Sequence, residues 1–112
     1  MKRMKIYKHT FNDFRNEIET VEFDVEEKPK TYVVVSGQKG VWENRVSKDE
    51  IDKLGGRCYK KMFTLSPDKK PYINALIADE ENHINRLKDS LEKAEQRKNI
   101  FAELLRKEDE WK

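Results

Sequence analysis

Cysteine is nearly missing from this 112-residue chain: Cys58 is the only one. An internal disulfide is therefore excluded, and so is a disulfide-built secreted scaffold. Histidine is almost as scarce, with His9 and His83 far apart and Cys58 at no zinc-ligand spacing from either. Apolar residues make up 36% of the chain, below the usual ~45–50%, so the core must be small. No stretch approaches the ~18–20 apolar residues of a membrane span. The start, Met1-Lys2-Arg3-Met4-Lys5, is basic, but no apolar signal segment follows it. These absences point to a soluble, cytoplasmic chain whose length suits one domain.

Charge is what the chain has in excess. Charged residues make up 41%, with 24 bases against 22 acids. They are unevenly placed. Residues 11–27 set Asp13, Glu17, Glu19, Glu22, Asp24, Glu26 and Glu27 against Arg15 alone, whereas residues 28–70 are basic on balance. Complementary charges on neighbouring strands account for part of this segregation. A basic surface for an anion is the other reading of the middle segment.

Residues 1–65 read as β. Met4, Ile6 and Lys8 alternate with Lys5, Tyr7 and His9. Val21, Phe23 and Val25 alternate with Glu22, Asp24 and Glu26, a two-residue period with one apolar and one acidic face. Pro29 interrupts the ladder, and Thr31-Tyr32-Val33-Val34-Val35 suits a central strand. Residues 36–40 form a turn and Val41–Val46 a further strand. Ser47-Lys48-Asp49-Glu50 has capping-box spacing for a short helix through Leu54, ended by Gly55-Gly56. Tyr59–Leu65 is the last strand. The expected fold is α+β, a small antiparallel sheet of about five strands with one short helix (residues 1–65). A long C-terminal amphipathic, coiled-coil helix follows (residues 66–112) and forms one structural unit with the sheet.

From Pro71 onward there is no glycine and no further proline. Ile73, Ile77, Ile84, Leu87, Leu91, Ala94, Phe101 and Leu105 hold a strict a/d heptad register, interrupted at Glu80, Lys98 and Glu108. Unbroken, such a helix is ~60 Å long, against a radius of gyration of only ~13 Å for a compact chain of this size. Its apolar seam calls for a second copy, or else the helix folds back near Asn82-His83. Self-association through this helix is the expectation.

Little in the sequence carries catalytic chemistry. Asp79 and His83 have i,i+4 spacing for a metal, but a solvated helix face is much the stronger reading of them. Cations flank Cys58 without a histidine partner in reach. Gly37-Gln38-Lys39-Gly40 lacks the length and ending of a phosphate loop. No enzyme, metal or cofactor is expected. The long helix has no basic stripe and the chain no DNA- or RNA-binding signature, which argues against a macromolecular nucleic acid. An anionic small molecule fits better. Arg57 and Lys60-Lys61 follow the Gly55-Gly56 turn, and Lys69-Lys70 precede the long helix. Trp42, Tyr59, Phe63 and Tyr72 lie near these segments, with Phe101, Arg106 and Trp111 at the far end of the helix.

The layout is Met4-Lys5-Ile6-Tyr7-Lys8, an acidic alternating strand, Glu27-Lys28-Pro29-Lys30-Thr31-Tyr32, and Ser47-Lys48-Asp49-Glu50-Ile51. Then come Phe63-Thr64-Leu65-Ser66-Pro67-Asp68-Lys69 and a long charged helix. It resembles small phage and prophage proteins of Gram-positive bacteria, most of all the Thoeris anti-defence sponges. The resemblance implies a homo-oligomer in the cytoplasm of an infected or lysogenic bacterium. It would sequester a signalling nucleotide, a cyclic ADP-ribose variant or a cyclic oligonucleotide, without catalysis. On this reading Arg57, Lys60 and Arg106 contact phosphates, and Trp42, Phe101 and Trp111 stack on bases. Two alternatives stand beside it. One is a protein–protein inhibitor using the acidic ribbon as a nucleic-acid mimic, as anti-CRISPR proteins do. The other is an adaptor built on the coiled coil.

Overall fold

The computed structural model describes residues 2–56 and 60–110. Five strands, β1 (Arg3–Asn12), β2 (Glu17–Glu27), β3 (Thr31–Val34), β4 (Arg45–Ser47) and β5 (Lys61–Thr64), form one antiparallel sheet in the order β4-β3-β2-β1-β5. One helix, α1 (Lys70–Glu110), follows. This is the expected α+β architecture. The chain forms two compact units, residues 1–77 and 78–112.

The β1–β2 hairpin is the frame of the first unit. Its register runs from Arg3↔Glu26 to Asn12↔Glu17. Asn12 Oδ1 turns the chain by accepting from the backbone N–H groups of Phe14 (3.0 Å) and Arg15 (3.2 Å), and Asn16 takes positive φ. Alternation then sorts side chains to two faces. Ile6 pairs with Phe23 and Met4 with Val25 on the first face. There Ile6, Phe23, Val25, Tyr32, Val46 and Phe63 form the buried core, with Val41 and Ile51 packed against it. Phe23 and Phe63 meet edge to face at 6.1 Å.

The second face carries His9, flanked by Thr20 on β2 and Met62 on β5. The first turn of α1 supplies Tyr72, which stacks on the His9 ring at 5.9 Å. Its hydroxyl donates to the Lys60 carbonyl at 2.8 Å. Asp68 Oδ1 accepts from the Lys70 N–H (3.0 Å) and so starts the helix. From there α1 is continuous for 41 residues with no fold-back at Asn82-His83.

β3 and β5 each stop one residue before the expected end, and two elements fall well short of their sequence patterns. The helix expected from Ser47 to Leu54 is a single 3-10 turn, Lys48–Glu50. Ser47 Oγ does cap it, accepting from Asp49 N–H at 3.3 Å. Ile51 then turns extended and bridges Phe63, Asp52 N–H donates to the Phe63 carbonyl (2.8 Å), and Gly55 pairs with Lys61. Pairing to β5 and burial of Ile51 outweigh local helix propensity. The strand expected over Val41–Val46 is laddered only from Arg45 to Ser47. Residues 41–44 instead cross the first face, for reasons that lie in the candidate site.

Candidate functional site

Lys8 occupies the β1 position where the alternation calls for an apolar residue. It shares a face with Ile6, pairs across to Val21 and Phe63, and is buried. A lone ammonium there would be very costly. Glu43 answers it from the loop between β3 and β4. The Lys8 Nζ lies 3.0 Å from Glu43 Oε1, and the Lys61 Nζ donates to the same oxygen at 2.9 Å. Burial pushes the Glu43 carboxyl up, but hydrogen bonds from Lys61 and Lys8 outweigh it and hold the group at about 2. Lys61 also lies over the Phe63 ring at 5.4 Å. The trio is a partly buried clasp that engages both cations.

A second clasp holds the other end of the loop. Gln38 Oε1 accepts from the Asp24 N–H (2.6 Å), while Nε2 donates to the carbonyls of Asp24 (2.8 Å) and Val35 (2.7 Å). The side-chain amide thus completes the β2 edge where β3 has ended. Gly37 and Gly40 take φ of +84° and +79° to make the turn, a conformation other residues rarely adopt. Between the clasps Val41 packs on the core, and Trp42 is 90% exposed. Trp42 is therefore a bare aromatic ring on a loop fixed at both sides.

The His9 cluster is closed rather than reactive. Thr64 spends its one hydroxyl proton on the Ser66 carbonyl at 2.6 Å. His9 Nε2, 2.7 Å away, must then donate to Thr64 Oγ1, and Nδ1 accepts from the Thr20 hydroxyl at 2.8 Å. Burial, and then the charge of Lys69, lower the His9 pKa, which keeps the ring neutral. Both ring nitrogens are engaged.

Of the predicted phosphate ligands, Arg57 lies outside the described residues, as do Cys58 and Tyr59. Lys60 precedes β5, and Arg106 forms an i,i+3 ion pair with Glu103 on α1. Of the predicted stacking residues, Trp42 and Phe101 are exposed, and Trp111 lies outside the described residues. Trp42 and Lys60 belong to the first unit, Phe101 and Arg106 to the second. Phe63 and Tyr72, also considered as stacking partners, are buried at 2% and 0% exposure; the core and the His9 ring take their faces. The acidic ribbon is partly neutralised by its neighbours. Lys5 reaches Glu22 (2.6 Å) and Asp24 (3.5 Å), Arg3 lies 3.8 Å from Glu26, and Lys48 lies 3.0 Å from Glu27.

A shallow cleft beside the 3-10 turn is lined by Asp49, Glu50, Lys53, Lys61 and Phe63. It mixes both signs, and its Lys61 is held by Glu43. Among the described residues no three His, Cys, Asp or Glu gather where they could hold a metal ion, and no helix is long and apolar enough to cross a membrane. On α1 the a/d residues Ile77, Ile84, Leu87, Leu91, Phe101 and Leu105 are 48–65% exposed. Comparison with family models, with curated proteins and with solved structures finds no match for the chain.

Proposed function

We propose that this chain is a non-catalytic binding protein. It works as an assembly of copies joined through α1, and it captures an anionic nucleotide of the kind used in bacterial immune signalling. The cytoplasm of an infected or lysogenic bacterium is its place of action. The observation that carries the reading is the exposed apolar seam of α1. Large aliphatic and aromatic side chains left in water at heptad spacing are the usual mark of an interaction face. Trp42 supports the ligand class. A ring held bare between two clasps loses little freedom when a base stacks on it. Arg57, Lys60 and Arg106 are the cations proposed for the phosphates, with Phe101 and Trp111 as further stacking faces. The partial neutralisation of the acidic ribbon weighs against a nucleic-acid mimic.

A thermal-shift panel of cyclic dinucleotides, cyclic trinucleotides, cyclic ADP-ribose isomers, linear nucleotides and a short DNA duplex tests it. A ligand at a hundred times its Kd adds about 2.7 kcal/mol, a rise of roughly 10 °C for a domain of this size. The expected result is such a rise with one cyclic nucleotide and none with DNA. Trp42→Ala should remove that rise while leaving the unliganded Tm unchanged. No rise with any member, in protein freed of co-purified ligand, overturns the nucleotide reading.

A further inference from the structure

Three charged residues, Glu80, Lys98 and Glu108, interrupt the seam of α1, and the two inner ones decide how a second copy can lie on it. Glu80 holds a d position and Lys98 an a position, both exposed. In a parallel, in-register pair, a faces a and d faces d. Glu80 would then meet the partner's Glu80, and Lys98 the partner's Lys98. Like charges pressed together in a desolvated seam are strongly unfavourable.

An antiparallel pair sets a against d. Placing Leu87 opposite the partner's Leu91 brings Glu80 opposite the partner's Lys98. The two-fold axis repeats the pair with Lys98 opposite the partner's Glu80. The same register matches sizes: Ile84 faces the partner's Ala94, and Ile77 faces the partner's Phe101. Sliding by one heptad either way seats Lys98 on the partner's Ile73 or Leu87, and Glu80 on the partner's Leu91 or Leu105. Each slide buries a charge against an aliphatic chain. Of these registers, only the unshifted one gives both charges an opposite partner.

Two features of the α1 surface accord with it. Ala94, Lys98 and Phe101 line a shallow hollow on α1, and this register delivers the partner's Ile84, Glu80 and Ile77 into it. Leu104 is 52% exposed although it lies off the a/d seam, and it falls beside the partner's Leu76. The cost lies at the rim, where Glu81 faces the partner's Glu95 and Lys88 faces the partner's Lys88, solvated pairs that salt screens.

We infer that α1 pairs antiparallel with α1 of a second copy, Glu80 bonded across the seam to the partner's Lys98. This rests on the proposed self-association through α1 and goes further in fixing its direction and register. The test is sedimentation equilibrium on wild type, Glu80→Lys, Lys98→Glu and the double swap, with helix content followed by circular dichroism. Both positions are exposed, so the sheet should fold in every variant. Either single reversal creates two like-charge pairs and should weaken association roughly a hundredfold or more. The double swap should restore wild-type association; in a parallel pair each reversal would only exchange one like-charge pair for another, so neither single variant would lose association. Ser90→Cys, in a Cys58→Ser background, lies near the two-fold axis and should form an intermolecular disulfide with itself. Single reversals that associate like wild type, or a double swap that stays dissociated, would overturn the antiparallel register while self-association stood. A wild-type monomer across the concentration series would overturn self-association itself.

Discussion

Replacing Glu43 by Gln should destabilise the first unit more than any comparable change of a surface carboxylate. The amide keeps the shape of the side chain and removes the charge facing Lys8 and Lys61. The carboxyl is held at about 2 against an ordinary 4.5. At about 1.4 kcal/mol for each tenfold change in proton affinity, the ionised group contributes roughly 3 kcal/mol. The side chain is only 17% exposed, so water screens little of this. Lys61 is 33% exposed on its side chain and can turn to solvent, whereas Lys8, at 10%, cannot follow readily. The expected loss is therefore about 2–3 kcal/mol, roughly 10–15 °C in Tm at pH 7. The pH dependence has a definite sign. The unfolded carboxyl takes its proton near 4.5 and the folded one only near 2. The stabilisation is thus complete above pH 4.5 and drains away as pH falls from 4.5 toward 2. Thermal melts from pH 7 to pH 2.5 should show wild type losing its advantage over Glu43→Gln across that window. Pairing Lys8→Met with Glu43→Leu should recover much of the loss, since an apolar pair suits this face. A Glu43→Gln protein melting within about 2 °C of wild type at pH 7 would refute the clasp as a source of stability.

Two further outcomes follow from the other buried polar groups. His9 is neutral in the fold and its pKa is lowered, so its contribution is complete above about pH 6.5 and falls as acid charges the unfolded imidazole. His9→Gln should lower Tm at pH 7.5 but flatten the decline between pH 7 and 5, and an unchanged slope would sink the assignment. Gln38→Ala removes the three hydrogen bonds of the amide clasp. It should cost about 1–3 kcal/mol and lower the fluorescence anisotropy of Trp42, read in a Trp111→Phe background; unchanged anisotropy would mean that the loop is held elsewhere.

The hairpin and the long helix were legible because each is written in a local period. Alternation in residues 4–8 and 21–26 places Ile6, Phe23 and Val25 on one face, and the heptad spacing from Ile73 to Leu105 gives helix but leaves a fold-back at Asn82-His83 open, which the continuous α1 removes. Lys8 was legible only by half. Its place in the apolar alternation was visible, but the residue that neutralises it comes from a loop thirty-five positions away, a separation no period encodes. Val41 to Asn44 read as a strand because Val41 and Val46 are β-formers. Gln38 and Glu43 took that segment out of the ladder through tertiary contacts. The helix predicted after Ser47 had a genuine cap and lost its later turns when Ile51 was drawn to Phe63. Tyr72 reads as one of the aromatics near the basic segments, since nothing near it in sequence announces His9 on β1. The candidate site was least legible, because Trp42 depends on clasps made by residues with no motif of their own.

The distribution of satisfied and unsatisfied surface locates where binding energy remains. In the first unit the buried polar groups are matched: Lys8 by Glu43, His9 by Thr20 and Thr64, Tyr72 by the Lys60 carbonyl. Among the described residues no buried side-chain nitrogen or oxygen lacks a partner. Part of each face of the sheet is covered, one by the loop that carries Trp42 and the other by the first turn of α1. Along α1 the opposite holds. Burying one large apolar side chain is worth about 1.5–3 kcal/mol, and the seam leaves a row of them half or more in water. On the proposed pairing, covering several of them sets this gain against an association cost of about 4–15 kcal/mol. On that pairing, Leu87→Ser near the seam's midpoint should weaken association measured by sedimentation equilibrium, and association as tight as wild type would refute the seam as the joining face.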